Sequence, residues 1–569
     1  MKLHVTGTLL LAVLTLHSTA VLAQQPRAAE TIEVSIVNMD VQVTDKQGRR
    51  VSGLTANDFE IREEGRLQPI TNFAEYKSRS TTLPGSETLP ASIELAGTPR
   101  PQRTIVVFVE ASAMKPAAAK SVYDSLREML RATVSPGDRV TIAQWKGSLQ
   151  VRQAFTDDLA VLNDALTAME EETPHAARRD AREIRFDQDQ SRAAEAEFVA
   201  AFNEMMAIGA PPTATPNVIP TSGLPPIHSL SAAKQQLLEI SRKAIALEAL
   251  MQSVSAFEGR KIMIMAMRRL GTYAGAEYFG DSIPFDRLSE LDTVALRESI
   301  IRTANAHGIT LYPIYPAGLE WDPDDASVGD VPAGSADANK ASMENKILLN
   351  ETATLREIAM STGGLVAWGS ADIASMIPRL AEDLEAYYSL AYRARSTGKD
   401  VTRRIVVRTK DPRYEVRSRK HFVEKSDHSR MSDRVIAALY QQLGGSTLTF
   451  DVGAGEIRAL GRNRWSVPLK VRIPIAGLTM LPEGSQHTGE FSLYLVTGAS
   501  VGVMSEVERR TQPFHIAQAD LKEAKGSYFT YNVTVQVDDR IDRFSIGIVD
   551  EVSKEFGLKR FLLPELPEK

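Results

Sequence analysis

The chain has 569 residues, 43% of them hydrophobic and 24% charged, with a formal net charge of −6 and no cysteine. That length suggests roughly three or four domains at ~150 residues each. The balance of charge offers no basic face for nucleic acid. The missing cysteines exclude disulfides, thiolate metal ligands, a cysteine nucleophile and a lipidated cysteine anchor.

Residues 1–23 read as a secretory signal. Lys2 gives a weakly basic start, 9–16 is an apolar stretch too short to span a bilayer, and Val21-Leu22-Ala23 fits a small-residue cleavage site. The mature chain is expected to begin near Gln24 and to carry no membrane span, since no later segment has 18 consecutive apolar residues. An exported chain of this size without cysteine points to a bacterial periplasm or exterior.

Residues 31–78 alternate as strands, with Val34, Ile36, Val41, Val43, Phe59 and Ile61 on the apolar side and a turn at Asp45-Lys46-Gln47-Gly48. Residues 79–102, rich in Pro, Thr, Ser and Gly, read as a linker. From 103 the rhythm becomes strand–helix. The unbroken run Ile105–Val109 predicts a buried strand, and Val122, Leu126, Met129 and Leu130 share one face of the helix that follows. Strands are expected at 140–145 and 149–155, then a helix from Thr156-Asp157-Asp158 to about 172. The stretch 173–229 interrupts the rhythm, first as a charged helical run and then, at 211–226, as a proline-rich segment that cannot be regular. The alternation resumes with a helix 230–256, a strand 261–267, a helix 290–307, a strand 309–315, an acidic loop 321–345, a helix 350–361 and a strand 364–368. Such units predict a mostly parallel sheet covered on both faces, with ligands at the carboxyl ends of its strands. Strands return at 388–392, 404–408 and 414–417, and a short helix 434–443 ends at Gly444-Gly445. Beyond it Trp465, Val467, Leu469, Val471 and Ile473 alternate with polar residues, as do Phe529 to Val537 and Phe544 to Ile548, the pattern of a β-sandwich.

Several stretches together resemble the von Willebrand factor A (VWA)-related exported proteins of bacteria, of the kind common in Acidobacteria. They are VQVTDKQGRRVSGLTANDFEIREEGRLQPITNFAEY, RTIVVFVEAS, SPGDRVTIAQWKGSLQVRQAFTDD, FEGRKIMIMAM, LREIAMSTGGLVAW and DLEAYYSLAYRARSTGKD, within about 31–423. The resemblance implies a Rossmann-like α/β sandwich at 103–385, with insert 173–229, set into a β-sandwich built from 31–78 and 386–423. A C-terminal β-sandwich-like domain at 429–569 would follow.

Domains of this type often bind Mg²⁺ through Asp-x-Ser-x-Ser on the first strand's exit loop, a Thr on a second loop and an Asp on a third. Such a set suits a cation that wants near-octahedral oxygen ligands. Carried onto this chain, Glu110 falls at the first Asp, Ser112 at the first Ser, Met114 at the second Ser, Thr156 at the loop Thr and Arg268 at the third Asp. The resemblance therefore implies a vestigial metal site and a partner-binding face, with Arg268 expected to pair with Glu110 in place of the metal. No cofactor is expected. The alternative is a Mg²⁺-dependent adhesion domain that keeps Glu110, Ser112 and Thr156 as ligands.

Enzyme readings are thin. Gly498-Ala499-Ser500-Val501-Gly502 matches the Gly-x-Ser-x-Gly of serine hydrolases, but it lies among strands, and His515 is the only histidine after it. No His-Glu-x-x-His or phosphate-binding Gly-Lys-Ser/Thr is present. The expected function is non-enzymatic binding of a protein partner, with a secreted hydrolase using Ser500 as the further alternative.

Overall fold

The structure is a computed structural model. It describes residues 34–76, 102–111, 114, 116–173, 227–268, 270–276, 288–316, 336–368, 370–440, 443–499 and 504–563. The expected signal at 1–23, nearly all of the linker, and the insert between 174 and 226 lie outside these residues.

The first segment supplies β1 (Val34–Thr44), β2 (Phe59–Glu63), β3 (Arg66–Gln68) and β4 (Ile70–Tyr76). The central segment runs β5 (Arg103–Glu110), α1 (Pro116–Thr133), β6 (Arg139–Trp145), β7 (Leu149–Thr156), α2 (159–173), α3 (Ile227–Ser253) and β8 (Arg260–Ala266). It continues with α4 (Leu288–Leu291), α5 (Val294–His307), β9 (Ile309–Tyr315), α6 (Ala336–Thr362), β10 (Ala367–Trp368) and α7 (Ser370–Glu385). The chain then returns through β11 (Tyr387–Arg395), β12 (Val401–Thr409), β13 (Glu415–Arg417) and β14 (His421–Glu424). The last part holds α8 (Asp427–Tyr440), β15 (Asp451–Ala454), β16 (Arg458–Gly461), β17 (Arg464–Pro474), β18 (Leu481–Glu483) and β19 (Gln486–Gly498). It ends with β20 (Glu508–Ala517), α9 (Leu521–Ala524), β21 (Tyr528–Asp538), β22 (Arg543–Asp550) and β23 (Phe556–Leu562).

The central sheet has the order β10-β9-β8-β5-β6-β7, all parallel except β7, which runs antiparallel to β6. Counted within the unit this is 3-2-1-4-5-6, the doubly wound order, whose direction reverses between β5 and β8. Every residue of β5 is buried. The cause is the pleat, which sends successive side chains to opposite faces. Val106 and Phe108 pack under α3, α5 and α6, while Ile105, Val107 and Val109 pack under α1, α2 and α7. An unbroken apolar strand and helices on both faces are thus two views of one fact.

Strands from the first and the returning segments interleave in two four-stranded sheets, β13-β1-β11-β4 and β14-β12-β2-β3. Met39, Val41, Leu390 and Tyr392 of one sheet face Phe59, Ile61, Ile405 and Val407 of the other. Arg403 ties the second sheet internally, with ion pairs to Glu63 and Glu424.

The C-terminal strands also form two sheets, one of β15, β16, β17 and β21, the other of β18, β19, β20, β22 and β23. In β17 burial alternates residue by residue, the mark of a single covered face. β19 differs. Phe491, Leu493 and Leu495 enter the inter-sheet core, while Tyr494 and Val496 are covered from outside by Met431, Val435 and Leu439 of α8. The close approach of α8 needs Gly547, where an added Cβ would lie 2.3 Å from Met431 Cε and 2.6 Å from Val435 Cγ2.

Three helices depart from the sequence reading. The one expected at 290–307 is divided into α4 and α5 at Asp292-Thr293. The helix expected at 350–361 begins at Ala336, inside the stretch expected to be an acidic loop. The short helix expected at 434–443 spans Asp427–Tyr440, because Ser426 starts it: its carbonyl accepts the Arg430 N–H and its hydroxyl accepts the Ser429 N–H.

Candidate functional site

β5 and β8 end side by side at the point where the winding reverses, the place where open sheets of this kind form a crevice. Glu110 closes β5 there and is fully buried. Its Oε1 accepts from the Lys243 ammonium of α3, itself 1% exposed. Its Oε2 accepts the backbone N–H of Arg268 at 2.8 Å. Lys243 Nζ also donates to the Arg268 carbonyl at 3.0 Å. The result is a closed ring: a carboxylate, an ammonium and the main-chain N–H and C=O of one residue satisfy each other away from water. A buried charge is tolerated when it is paired and hydrogen-bonded in this way.

The expected pairing of Arg268 with Glu110 is therefore corrected. Arg268 meets Glu110 through its main chain only. Its guanidinium turns toward α6, reaching the buried Glu351 at 3.4 Å and lying 5.5 Å from the centre of the Tyr315 ring. Burial and the Glu351 carboxylate push the Tyr315 hydroxyl well above its ordinary range. The counter-charge to Glu110 is Lys243. It occupies a position of the apolar stripe of α3, between Ile240 and Leu247, at the three- and four-residue spacing of buried neighbours. A lysine in that stripe was the available signal, and it needs a buried anion to explain it.

Met114 is buried with the α1-side core. Ser112 lies outside the described residues. Thr156 is at the wrong edge. Glu110 pairs with Trp145 at the carboxyl end of β6, whereas Thr156 pairs with Val140 at its amino end. Five residues along a strand separate them, about 16 Å. The reason is that β7 is antiparallel, so it carries Thr156 back to the amino edge, where its hydroxyl accepts the Asp158 N–H at 3.1 Å at the start of α2.

The described residues do not fit the Mg²⁺ site that the resemblance implied. A buried methionine offers no oxygen, Thr156 is out of reach, and an ammonium already faces the carboxylate. Among the described residues no group of three or more His, Asp or Glu side chains is placed to hold a metal ion.

Among the described residues the Gly-x-Ser-x-Gly stretch is not followed by the helix that a nucleophile elbow needs. β19 ends at Gly498, which bridges Met504, and the chain returns as β20 rather than as a helix. Residues 500–502 lie outside the described residues. His515 pairs with Thr488, ten residues back along β19 from Gly498 and about 33 Å away.

No protein-family model matches the chain, and no curated protein matches it. Among solved structures it is similar to an aerotolerance-related membrane protein from Bacteroides fragilis, at 9% identity over 49% of this chain and 98% of that one, with a TM-score of 0.20. It is also similar to the vWF domain of the type V pili tip protein Mfa5 from Porphyromonas gingivalis, at 12% identity over 50% of this chain and 95% of that one, with a TM-score of 0.19. A third likeness is to the PilB minor pilin from Streptococcus sanguinis, at 8% identity over 62% and 89%, with a TM-score of 0.22. The doubly wound order of the central sheet stands independently of these. Among the described residues no helix is long and apolar enough to cross a membrane.

Proposed function

We propose that the chain is an exported, non-enzymatic protein-interaction module. Its VWA-like central domain binds a protein partner at the carboxyl edge without a metal ion. The observation that carries the metal-independent reading is the buried Glu110–Lys243 pair. A tethered ammonium supplies the positive charge that a divalent cation would otherwise bring to this crevice. Unlike a metal with an open coordination position, it presents nothing to a partner's carboxylate, because both partners of the pair are buried. Recognition then falls to the loops that surround the pair. The export reading rests on residues 1–23.

A calorimetric titration with Mg²⁺ and Mn²⁺, paired with a crosslinking pull-down run with and without EDTA, tests this. The expected result is no saturable heat and the same crosslinked partner in both extracts. A partner lost in EDTA and restored by Mg²⁺ would establish metal-dependent adhesion instead.

A further inference from the structure

A second crevice lies at the opposite, amino edge of the central sheet. It has a volume of about 920 Å³ and is bounded by β1, β4 and β11, by the starts of β8 and β9, and by α8. That volume is in the range of small-molecule sites. Six lysine or arginine side chains and three carboxylates line it.

Two of the carboxylates are already committed. Asp40 pairs with Arg260 at 2.9 Å, and Asp433 pairs with Lys425, which also donates to His307 Nδ1 at 2.8 Å. The third, Glu258, is exposed. Among the described residues the Arg419 side chain donates only to main-chain carbonyls, those of Asn38 at 2.6 Å and Asn305 at 3.3 Å, and its Nε–H has no acceptor. Lys261, at the start of β8, has no hydrogen-bond or ion-pair partner among the described residues. Lys261 and Arg419 thus share one crevice with no ion-pair partner among the described residues, as does Arg434, whose guanidinium lies 4.4 Å from the centre of the Phe556 ring. Lys261 and Arg419 are both half-buried, and a cation partly withdrawn from water gains from a counter-charge, which an anion from outside the chain can supply.

We propose that this crevice binds a small oxyanion ligand, a carboxylate or a phosphate, whose charge is met by Lys261 and Arg419. The electrostatics agree. Burial, then the neighbouring Lys425 and Arg419, push the Lys261 ammonium down to about 8, against the weaker pull of Asp433 and Asp40. His307, held neutral by burial and by Lys425 and Lys261, adds no charge. A bound anion relieves the repulsion among these cations. Binding is therefore strongest while Lys261 is protonated and weakens as the pH rises through about 8.

The test is a titration of the full chain with inorganic phosphate and, separately, with citrate, at constant ionic strength and neutral pH. Calorimetry and melting temperature are read for the wild type, for Lys261→Met and for the exposed-lysine control Lys522→Met. The expected result is a saturable response in the wild type and the control, and an affinity at least about tenfold weaker in Lys261→Met. Lys261→Met removes a half-buried cation that has no ion-pair partner among the described residues, so it is expected to melt no lower than the wild type, which keeps the comparison readable. A response to phosphate alone assigns a phosphoryl ligand, and one to citrate alone assigns a carboxylate. Equal responses in wild type and Lys261→Met, or none to either anion, would overturn the proposal.

Discussion

Lys243→Met is expected to destabilise the central domain by about 3–5 kcal/mol, the range found when one partner of a buried ion pair is removed. The substitution is close in length and keeps the helix. What it removes is the only cationic side-chain partner, among the described residues, of a fully buried carboxylate. Glu110 would keep a single hydrogen bond, from the Arg268 N–H. Urea unfolding followed through Trp145, buried in this domain, reads the loss. Adding Glu110→Gln to Lys243→Met removes the stranded charge and is expected to recover more than half of the stability. The cost of the single change therefore lies in the unpaired carboxylate and not in lost packing. A single-variant loss below about 1 kcal/mol would refute the buried pair.

Arg403→Met is expected to cost the first β-sandwich about 3 kcal/mol or more. Arg403 lies between Glu63, 340 residues away in sequence, and Glu424, 21 residues on. Both carboxylates are buried. Glu424 would keep the Thr397 and Gly398 N–H groups and the Ser396 hydroxyl, so Glu63 is the group left stranded. Amide hydrogen exchange across β2, β12 and β14 is the appropriate readout, because the tryptophans with described positions lie in the other two domains. The same network predicts acid sensitivity. Burial works to raise the Glu424 carboxyl, but hydrogen bonds from Thr397, Ser396 and Arg403 together outweigh it and hold it below the ordinary glutamate value of 4.5. A carboxylate depressed in the folded state contributes stability that is fully present above that value and is lost as the pH falls below it. Loss of exchange protection in these strands should therefore begin as acid takes the pH under 4.5, and Arg403→Met should flatten that dependence.

Much of the local structure could be read from residue order because it depends on near neighbours. The run Ile105–Val109 and the stripe Val122, Leu126, Met129 and Leu130 identify a strand buried on both faces and the helix that covers one of them. The alternation from Trp465 to Ile473 identifies a strand with one dry face, and β17 has that burial. The helix boundary at Ala336 escaped the same reading because its first turns carry no apolar stripe, only small and polar residues.

The candidate site was legible only in part. Glu110 stood out because an acid at the end of a buried strand is conspicuous by itself. Its partner lies 133 residues away on α3, and no local pattern links the two. Arg268 was assigned by position in a motif, yet main-chain geometry, not side-chain charge, decides what it offers Glu110. Thr156 was misplaced because residue order does not reveal that β7 runs antiparallel, and strand direction alone determines which edge a strand end reaches. Likewise, only the packing of α8 explains why β19 is buried on both faces. Periodicity is a property of neighbours along the chain, so the sequence alone determined which segments are strands and helices and which faces seek burial. The meeting of Lys243 with Glu110, and the convergence of Lys261 and Arg419 on one crevice, depend on how distant segments pack, and only the tertiary structure decided those.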